Sequence, residues 1–246
     1  MDAFAEYYDI MVGADYDKIS DFIIDAINKY KPESELVCDL GCGTAKVTTL
    51  LSQKGFDMIG IDSSEDMLIK ARENVSKSGV DSVLLLNQDI TDFELYGTVD
   101  VIYATLDTIN YVTCKRDLNK LFRLVKNYLN YDGLFIFDVN TKYKFESVLA
   151  ENDFIYDFDD LFCCWSVEFD KKSEKCYHLL TYFDKCEDGR FMRKENEQTQ
   201  RYYSNRYLYE LFSKYNFDVI GEYDDYNWTS VTPKTERITY ILKINK

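Results

Sequence analysis

Val37-Cys38-Asp39-Leu40-Gly41-Cys42-Gly43-Thr44-Ala45-Lys46 reads as the end of a strand, a turn through two glycines and the start of a helix. Leu36 to Leu40 is a short apolar run, as in a buried parallel strand. Gly41 and Gly43 let the backbone turn tightly and come close to a ligand. Lys46 to Gln53 opens a helix that Gly55 ends, and the amides at its start can hold a carboxylate or a phosphate. A tight turn with no ligand has the same local look. The surroundings discriminate among ligands. A phosphate loop needs Gly-Lys-Ser/Thr after four spacers, which is missing here, and the dinucleotide fingerprint needs glycine where Lys46 stands. Asp39, two residues before Gly41, is awkward beside a pyrophosphate and well suited to an ammonium group. The loop therefore favours a ligand with an amino acid moiety.

The neighbouring segments extend this unit. Asp57 to Asp62 is a second strand, and Asp62, at 62 − 39 = 23 residues beyond Asp39, is placed to accept hydrogen bonds from two ribose hydroxyls; its alternative role is that of a turn residue before a cap. Ser64 to Ser76 is a helix that Ser64 can cap, with Met67, Leu68 and Ala71 on one face. Ser82 to Gln88 is a third strand. Asp89 follows it, placed to accept from an adenine amino group while Ile90 and Met67 pack on the ring, or simply to cap the next turn. Val99 to Ala104 and Leu134 to Val139 read as further strands, Asp17 to Tyr30 and Asp117 to Tyr128 as helices, with Pro32 stopping the first. This alternation predicts an α/β fold, an open, doubly wound sheet covered on both faces.

After Asn140 the pattern changes. From Phe154 to Tyr203 the chain is aromatic, β-branched and alternating, with a hairpin turn at Glu187-Asp188-Gly189-Arg190. It predicts about three antiparallel strands inserted into the α/β domain. Asn205 to Tyr215 returns to helix, and Asp218 to Tyr223 and Ile238 to Ile244 close the sheet. The expected organisation is one cofactor domain from residues 1–140 and 204–246, with residues 141–203 as an inserted β subdomain on the substrate side.

Composition narrows the function class. The 246 residues carry a formal net charge of −15, which repels polyanions, so nucleic acid and anionic membrane are disfavoured as partners. Such acidity also serves solubility alone. No apolar run is long enough to span a membrane, and Met1-Asp2-Ala3-Phe4-Ala5-Glu6 lacks the basic and apolar regions of a signal peptide; a cytoplasmic location is expected. Seven scattered cysteines and the single His178 suit reduced, buried thiols and no metal, zinc being the minor alternative. Nothing in the composition speaks to oligomeric state.

Together these motifs resemble the class I S-adenosylmethionine-dependent methyltransferases. Asp39, Gly41, Cys42 and Gly43 match that family's D-x-G-x-G loop, and Gly60-Ile61-Asp62-Ser63-Ser64-Glu65-Asp66-Met67-Leu68 its ribose-binding segment. Asp89 matches the adenine-side acid, with Ile90 beside it. Asp100-Val101-Ile102-Tyr103-Ala104-Thr105-Leu106-Asp107 matches the fourth strand and its exit beside the methyl group. Asn130-Tyr131-Asp132-Gly133 resembles the turn into the fifth strand. Ala45 replaces the loop's usual third glycine and, being small, should preserve close helix packing. Phe4-Ala5-Glu6-Tyr7-Tyr8-Asp9 with Asp15-Tyr16 resembles the N-terminal lid of small-molecule methyltransferases; packing of an amphipathic helix is the plainer reading of Tyr7, Tyr8 and Tyr16. The inserted strands ending in Gln200-Arg201-Tyr202-Tyr203 resemble those of aminosugar and glycine-type N-methyltransferases.

The resemblance implies a Rossmann-like, mostly parallel seven-stranded sheet with its last strand antiparallel, S-adenosylmethionine as cofactor, and Tyr8, Tyr16, Ser63 and Leu106 beside it. It also implies a small-molecule acceptor, with an amine nitrogen as the best single choice. A hydroxyl or carbon acceptor would need a base. His178, Tyr103, Tyr202 and Asp107 are the candidates, none of them nominated, and His178 reads more readily as a structural histidine. The aromatic set Phe154, Tyr156, Phe158, Phe162, Trp165, Phe169, Tyr177, Tyr182 and Phe183 is expected to divide between pocket wall and inserted core. Two other functions share parts of the pattern: a protein that binds the cofactor without catalysis, and a dinucleotide-dependent oxidoreductase.

Overall fold

The structure, a computed structural model, describes residues 3–245. Met1 and Asp2 of the amino-terminal segment, and the side chains of Phe4 and Glu6 in the lid motif, lie outside the described residues.

In chain order the strands are β1 (Leu36–Leu40), β2 (Asp57–Asp62), β3 (Val83–Asn87), β4 (Val99–Ala104), β5 (Leu129–Asn140), β6 (Phe154–Asp157), β7 (Leu161–Asp170), β8 (Lys175–Lys185), β9 (Phe191–Arg201), β10 (Phe217–Asp224) and β11 (Arg237–Ile244). The helices are α1 (Ala3–Val12), α2 (Tyr16–Tyr30), α3 (Lys46–Gln53), α4 (Glu65–Ser78), α5 (Lys115–Tyr128) and α6 (Asn205–Lys214).

The main sheet runs β10-β11-β5-β4-β1-β2-β3. β1 pairs in parallel with β2 and β4, and β3 and β5 extend those pairs in parallel. β11 alone runs against the rest, antiparallel to both β5 and β10. Strand order reverses between β1 and β4, the place where open α/β sheets bind ligands.

Strand alternation builds the core. Val37, Val101, Leu134 and Ile136 point to the face covered by Ile19, Phe22, Ile23, Ala26 and Ile27 of α2. Their neighbours Cys38, Ile102, Phe135 and Phe137 point to the face covered by Leu118, Phe122 and Val125 of α5 and Leu208 and Phe212 of α6. Burial on both faces explains why these strands read as mostly apolar runs, broken at single aspartates such as Asp39 and Asp138.

The insertion holds four antiparallel strands, β6-β7-β8-β9, one more than the spacing predicts, because β6 is too short for its own alternation to register. Met11 of α1 packs into the core formed by Leu161, Cys163, Leu180 and Tyr182. Between β5 and β6, Lys144–Leu149 forms a π-helical turn.

Ser64 caps α4 by accepting from the Met67 amide, and Gly79, at φ +72°, closes it. Ala45 departs from expectation. It packs fully buried beside Cys42, Leu68 and Ala71, but its backbone is left-handed, φ +59°. The usual glycine at this position answers a torsion as well as a space requirement.

Candidate active site

At the carboxyl ends of β1, β2 and β4 lie two cavities that meet. The larger, about 580 Å³, is bordered by Gly41, Gly43, Asp62, Ser63, Met67, Asp89, Ile90 and Leu106. Tyr8 of α1 borders it as well. Tyr16, Asp39 and Cys42 border a small recess continuous with it through Tyr8, Gly41, Gly43 and Leu106. The twelve positions singled out from sequence thus all border this joined cavity and recess.

The glycine loop is held from three sides. Gly41 sits at φ +74°, and a Cβ there would come within 2.5 Å of the Thr108 methyl. The amide of Gly43 donates to Asp62 Oδ2 at 2.8 Å, and Asp62 Oδ1 accepts from the Ser64 amide at 2.8 Å. Asp62 therefore performs the turn role as well as facing the cavity, and each oxygen keeps a lone pair for a further donor. Asp89 likewise accepts from the Thr91 amide at 2.7 Å, so its capping role is realised while it borders the cavity. The Cys42 thiol packs into the loop–helix core.

Asp39 is 2% exposed. Its Oδ2 accepts from Thr48 (2.5 Å) and from Tyr103, its partner in register across β1 and β4 (2.8 Å). Its Oδ1 is buried without a partner. Burial pushes the carboxyl up to about 7, against the two hydrogen bonds that lower it. An orphaned carboxylate oxygen beside a glycine loop is what an incoming ammonium would satisfy, so the residues present fit a cofactor with an amino acid end.

Three consecutive residues of α1 reach three parts of the molecule, as side chains about 100° apart on a helix can. Tyr7 donates to Asp184 of β8 at 2.9 Å. Tyr8 borders both cavities and the recess. Asp9 accepts from Thr44 of the loop (2.7 Å) and from Tyr16 (2.9 Å). Tyr16 therefore holds Asp9 at the recess. Tyr8 thus borders the cavities, while Tyr7 and Asp9 tie α1 to the inserted sheet and to the glycine loop.

The second cavity, about 320 Å³, lies between β4, α1 and the insertion, and shares Tyr8, Leu106, Tyr111 and Gln198 with the first. Leu106 and Asp107 are consecutive residues at positive φ, +55° and +56°, each costing on the order of 1–3 kcal/mol. Two bonds hold them there: the Leu106 amide donates to Tyr226 Oη at 3.1 Å and the Asp107 amide to Asp138 Oδ2 at 2.8 Å.

Of the four base candidates, Asp107 and His178 border this cavity. Asp107 has both oxygens taken, by Gln200 Nε2 and by Arg237 at 2.6 Å. His178 is 5% exposed and its Nδ1 accepts from the Trp165 indole at 3.1 Å. Burial lowers it to about 4, Lys144 adding to the effect and Asp107 opposing it. The histidine is thus neutral, with its proton on Nε2. Tyr103 lies under Asp39, and Tyr202 borders a separate cleft with Tyr203 and Pro233. Of the aromatic set, Phe154, Tyr156 and Trp165 border the cavity. Tyr182 is core, Phe162 and Phe183 pair with each other elsewhere, Phe169 stacks on Phe145, and Phe158 and Tyr177 are exposed.

Sequence reading missed Arg237. Its guanidinium meets Asp107, Asp138 (2.9 Å) and Asp225 (3.5 Å), tying β4, β5 and β11 together beneath the cavity. It also missed Lys144, Thr108, Tyr111, Gln198 and Gln200. A cation beginning the last strand is the one local signal that pointed at any of them.

Comparison with known proteins agrees with this geometry. Residues 32–196 match a family described as a methyltransferase domain. A candidate methyltransferase of Geobacillus sp. (strain WCH70) is 25% identical over 98% of each chain. The crystal structure of an S-adenosylmethionine-dependent methyltransferase from Clostridium acetobutylicum ATCC 824 superposes with a TM-score of 0.90 at 32% identity, covering 99% of this chain and 98% of the other. The sugar N-methyltransferase KedS8 from Streptoalloteichus sp ATCC 53650 shares the fold, with a TM-score of 0.79 at 15% identity over 98% of this chain and 94% of its own. The glycine loop with its buried Asp39, the acid ending β2 and these matches lead to one assignment: the chain belongs to the S-adenosylmethionine-dependent methyltransferases.

Proposed function

We propose that the enzyme methylates a small molecule at an amine nitrogen, bound in the 320 Å³ cavity. The observation that carries this is the state of the titratable groups there. Asp107 is saturated by Gln200 and Arg237, and His178 is neutral with Nδ1 occupied. The Tyr111 hydroxyl donates to Gln198 at 2.9 Å. A neutral amine needs no base to attack; a hydroxyl or carbon acceptor does. The fold shared with KedS8, a sugar N-methyltransferase, supports the same reading.

The twelve positions then divide by role. Asp39 Oδ1 receives the cofactor's ammonium, Asp62 the ribose hydroxyls, and Asp89 with Met67 and Ile90 the adenine. The cofactor supplies an activated methyl on sulfonium sulfur. The chain's part is to exclude water and align. Tyr8 and Leu106, common to both cavities, flank the point of transfer, and orientation of this kind lowers a barrier by roughly 7–11 kcal/mol. Residues 141–203 serve as the substrate-side subdomain.

The test supplies cofactor labelled in the methyl group, with bulk tRNA, bulk protein and a small-metabolite extract as separate acceptors. Label is expected in an N-methylated metabolite. Label confined to tRNA or protein overturns the small-molecule reading; label in a metabolite hydroxyl or carbon overturns the amine reading.

A further inference from the structure

The amine acceptor has a second end, and the cavity wall opposite Tyr8 and Leu106 bears on what that end is. One donor there has no partner in the protein, and a second, a cation, has no carboxylate partner. His178 is 5% exposed, and its buried Nε2 has no hydrogen-bond partner. Because the Trp165 indole donates to Nδ1, Nδ1 is unprotonated and Nε2–H is a donor aimed at nothing in the chain. The second is the Lys144 ammonium, at the start of the π-helical turn. Among the described residues it forms no ion pair, and its hydrogen bond goes to Asn140 Oδ1 at 2.9 Å. Both residues border the same cavity.

The other polar groups of the wall are fixed in a chain that leaves these two unanswered. Asn140 Nδ2 donates to Gln200 Oε1 at 3.1 Å, Gln200 Nε2 donates to Asp107, and Asp107 is closed by Arg237. Asp138 is likewise occupied by Arg237, Tyr226 and the Asp107 amide. Asp107 and Asp138 are therefore both occupied, and neither pairs with Lys144 or His178. The exposed Glu236 also borders the cavity without pairing with Lys144. A buried donor without an acceptor, as at His178 Nε2, costs free energy comparable to a lost hydrogen bond unless a ligand completes it, and the Lys144 ammonium, held by one amide oxygen, keeps two N–H groups for the same ligand. An ammonium beside an N–H is a site for an oxyanion.

We infer that the methyl acceptor carries a carboxylate, held between Lys144 Nζ and His178 Nε2–H, at the end of the molecule away from the amine. This rests on the small-molecule amine reading above and deepens it. The substrate class is an amino acid or another small amino-carboxylic acid. His178 then fixes the acceptor's orientation and takes no proton.

The experiment feeds the enzyme S-adenosylmethionine deuterated in its methyl group together with a metabolite extract. Products are found by their mass shift and then treated with acidic methanol. Labelled products that gain a methyl ester are the expected result. Labelled amines that esterification leaves unchanged overturn the carboxylate inference and leave amine methylation standing, while no labelled metabolite at all overturns both. With the isolated acceptor, Lys144→Met and His178→Leu should each raise KM about tenfold to a hundredfold, with S-adenosylhomocysteine binding unchanged by calorimetry. Lys144→Arg and His178→Gln, which keep a donor in place, should recover most of the loss. Recovery equal in the donor-less variants, or KM unmoved in all four, overturns the inference.

Discussion

Asp39 shows how one buried atom couples protonation to cofactor binding. Its carboxyl, lifted to about 7 by burial, holds a proton in a fraction of molecules at neutral pH. An ammonium at Oδ1 favours the charged form and lowers that value. Binding therefore releases protons, and the sign follows: affinity grows as pH rises toward and past 7, because less energy goes into removing the proton first. Calorimetry with S-adenosylhomocysteine should show affinity rising roughly tenfold from pH 6 to pH 8, with proton release near pH 7. Asp39→Asn should flatten that profile, and a slope unchanged in the variant would assign it to another group. Asp62→Ala is the companion case. It removes two charge-assisted acceptors, each contributing about 1.5–3 kcal/mol, so affinity should fall at least tenfold; a folded variant that binds normally would take Asp62 out of the site. Both residues were legible in the sequence, because spacing along a strand–turn–helix–strand unit fixes where the two carboxylates emerge. The orphaned Oδ1 of Asp39 was not, since it depends on Tyr103 and Thr48 sharing Oδ2 across separate elements.

The turn from β1 into α3 is the element on which cofactor binding depends. Gly41 faces Thr108 so closely that any Cβ collides with that side chain, and its φ of +74° disfavours every other residue. Gly41→Val should abolish cofactor binding while the chain still folds, seen as loss of the thermal shift that S-adenosylhomocysteine gives the parent. The bounds of β1, β2, β4 and α3 agree with the apolar runs and their glycine, proline and aspartate punctuation, since burial on both faces keeps a strand mostly apolar. In the inserted sheet the period of two was legible but not which face mattered. Trp165, His178, Leu180 and Tyr182 face inward, while Tyr177 and Leu179 stand in the open, and nothing local distinguishes the two sets until α1 and the π-helical turn are in place.

For the molecule as a whole, Arg237 is the cation common to three carboxylates that come from positions 107, 138 and 225. Removing it leaves buried charge uncompensated, which costs about 3–5 kcal/mol, equivalent to roughly 6–20 °C in a chain of this size. Arg237→Met should lower the melting temperature by that order, and more at pH 8 than at pH 5: Asp138 is raised by burial, so the lower pH protonates part of what the arginine neutralises. An equal loss at both values would mean that Asp138 stays ionised throughout. The partners of Arg237 were beyond sequence reading because they are joined only by the order of strands in the sheet. That order has a consequence for synthesis on the ribosome. β11, residues 237–244, lies between β5 and β10, so this central strand is translated after both of its neighbours. Until it emerges, β5 offers Phe135 and Phe137 along an unpaired edge, an invitation to aggregation, and Asp107 and Asp138 face each other with no cation between them. A message cut short before codon 237 would therefore yield a chain that proteases and chaperones meet as unfolded, rather than an inactive protein that persists in the cell.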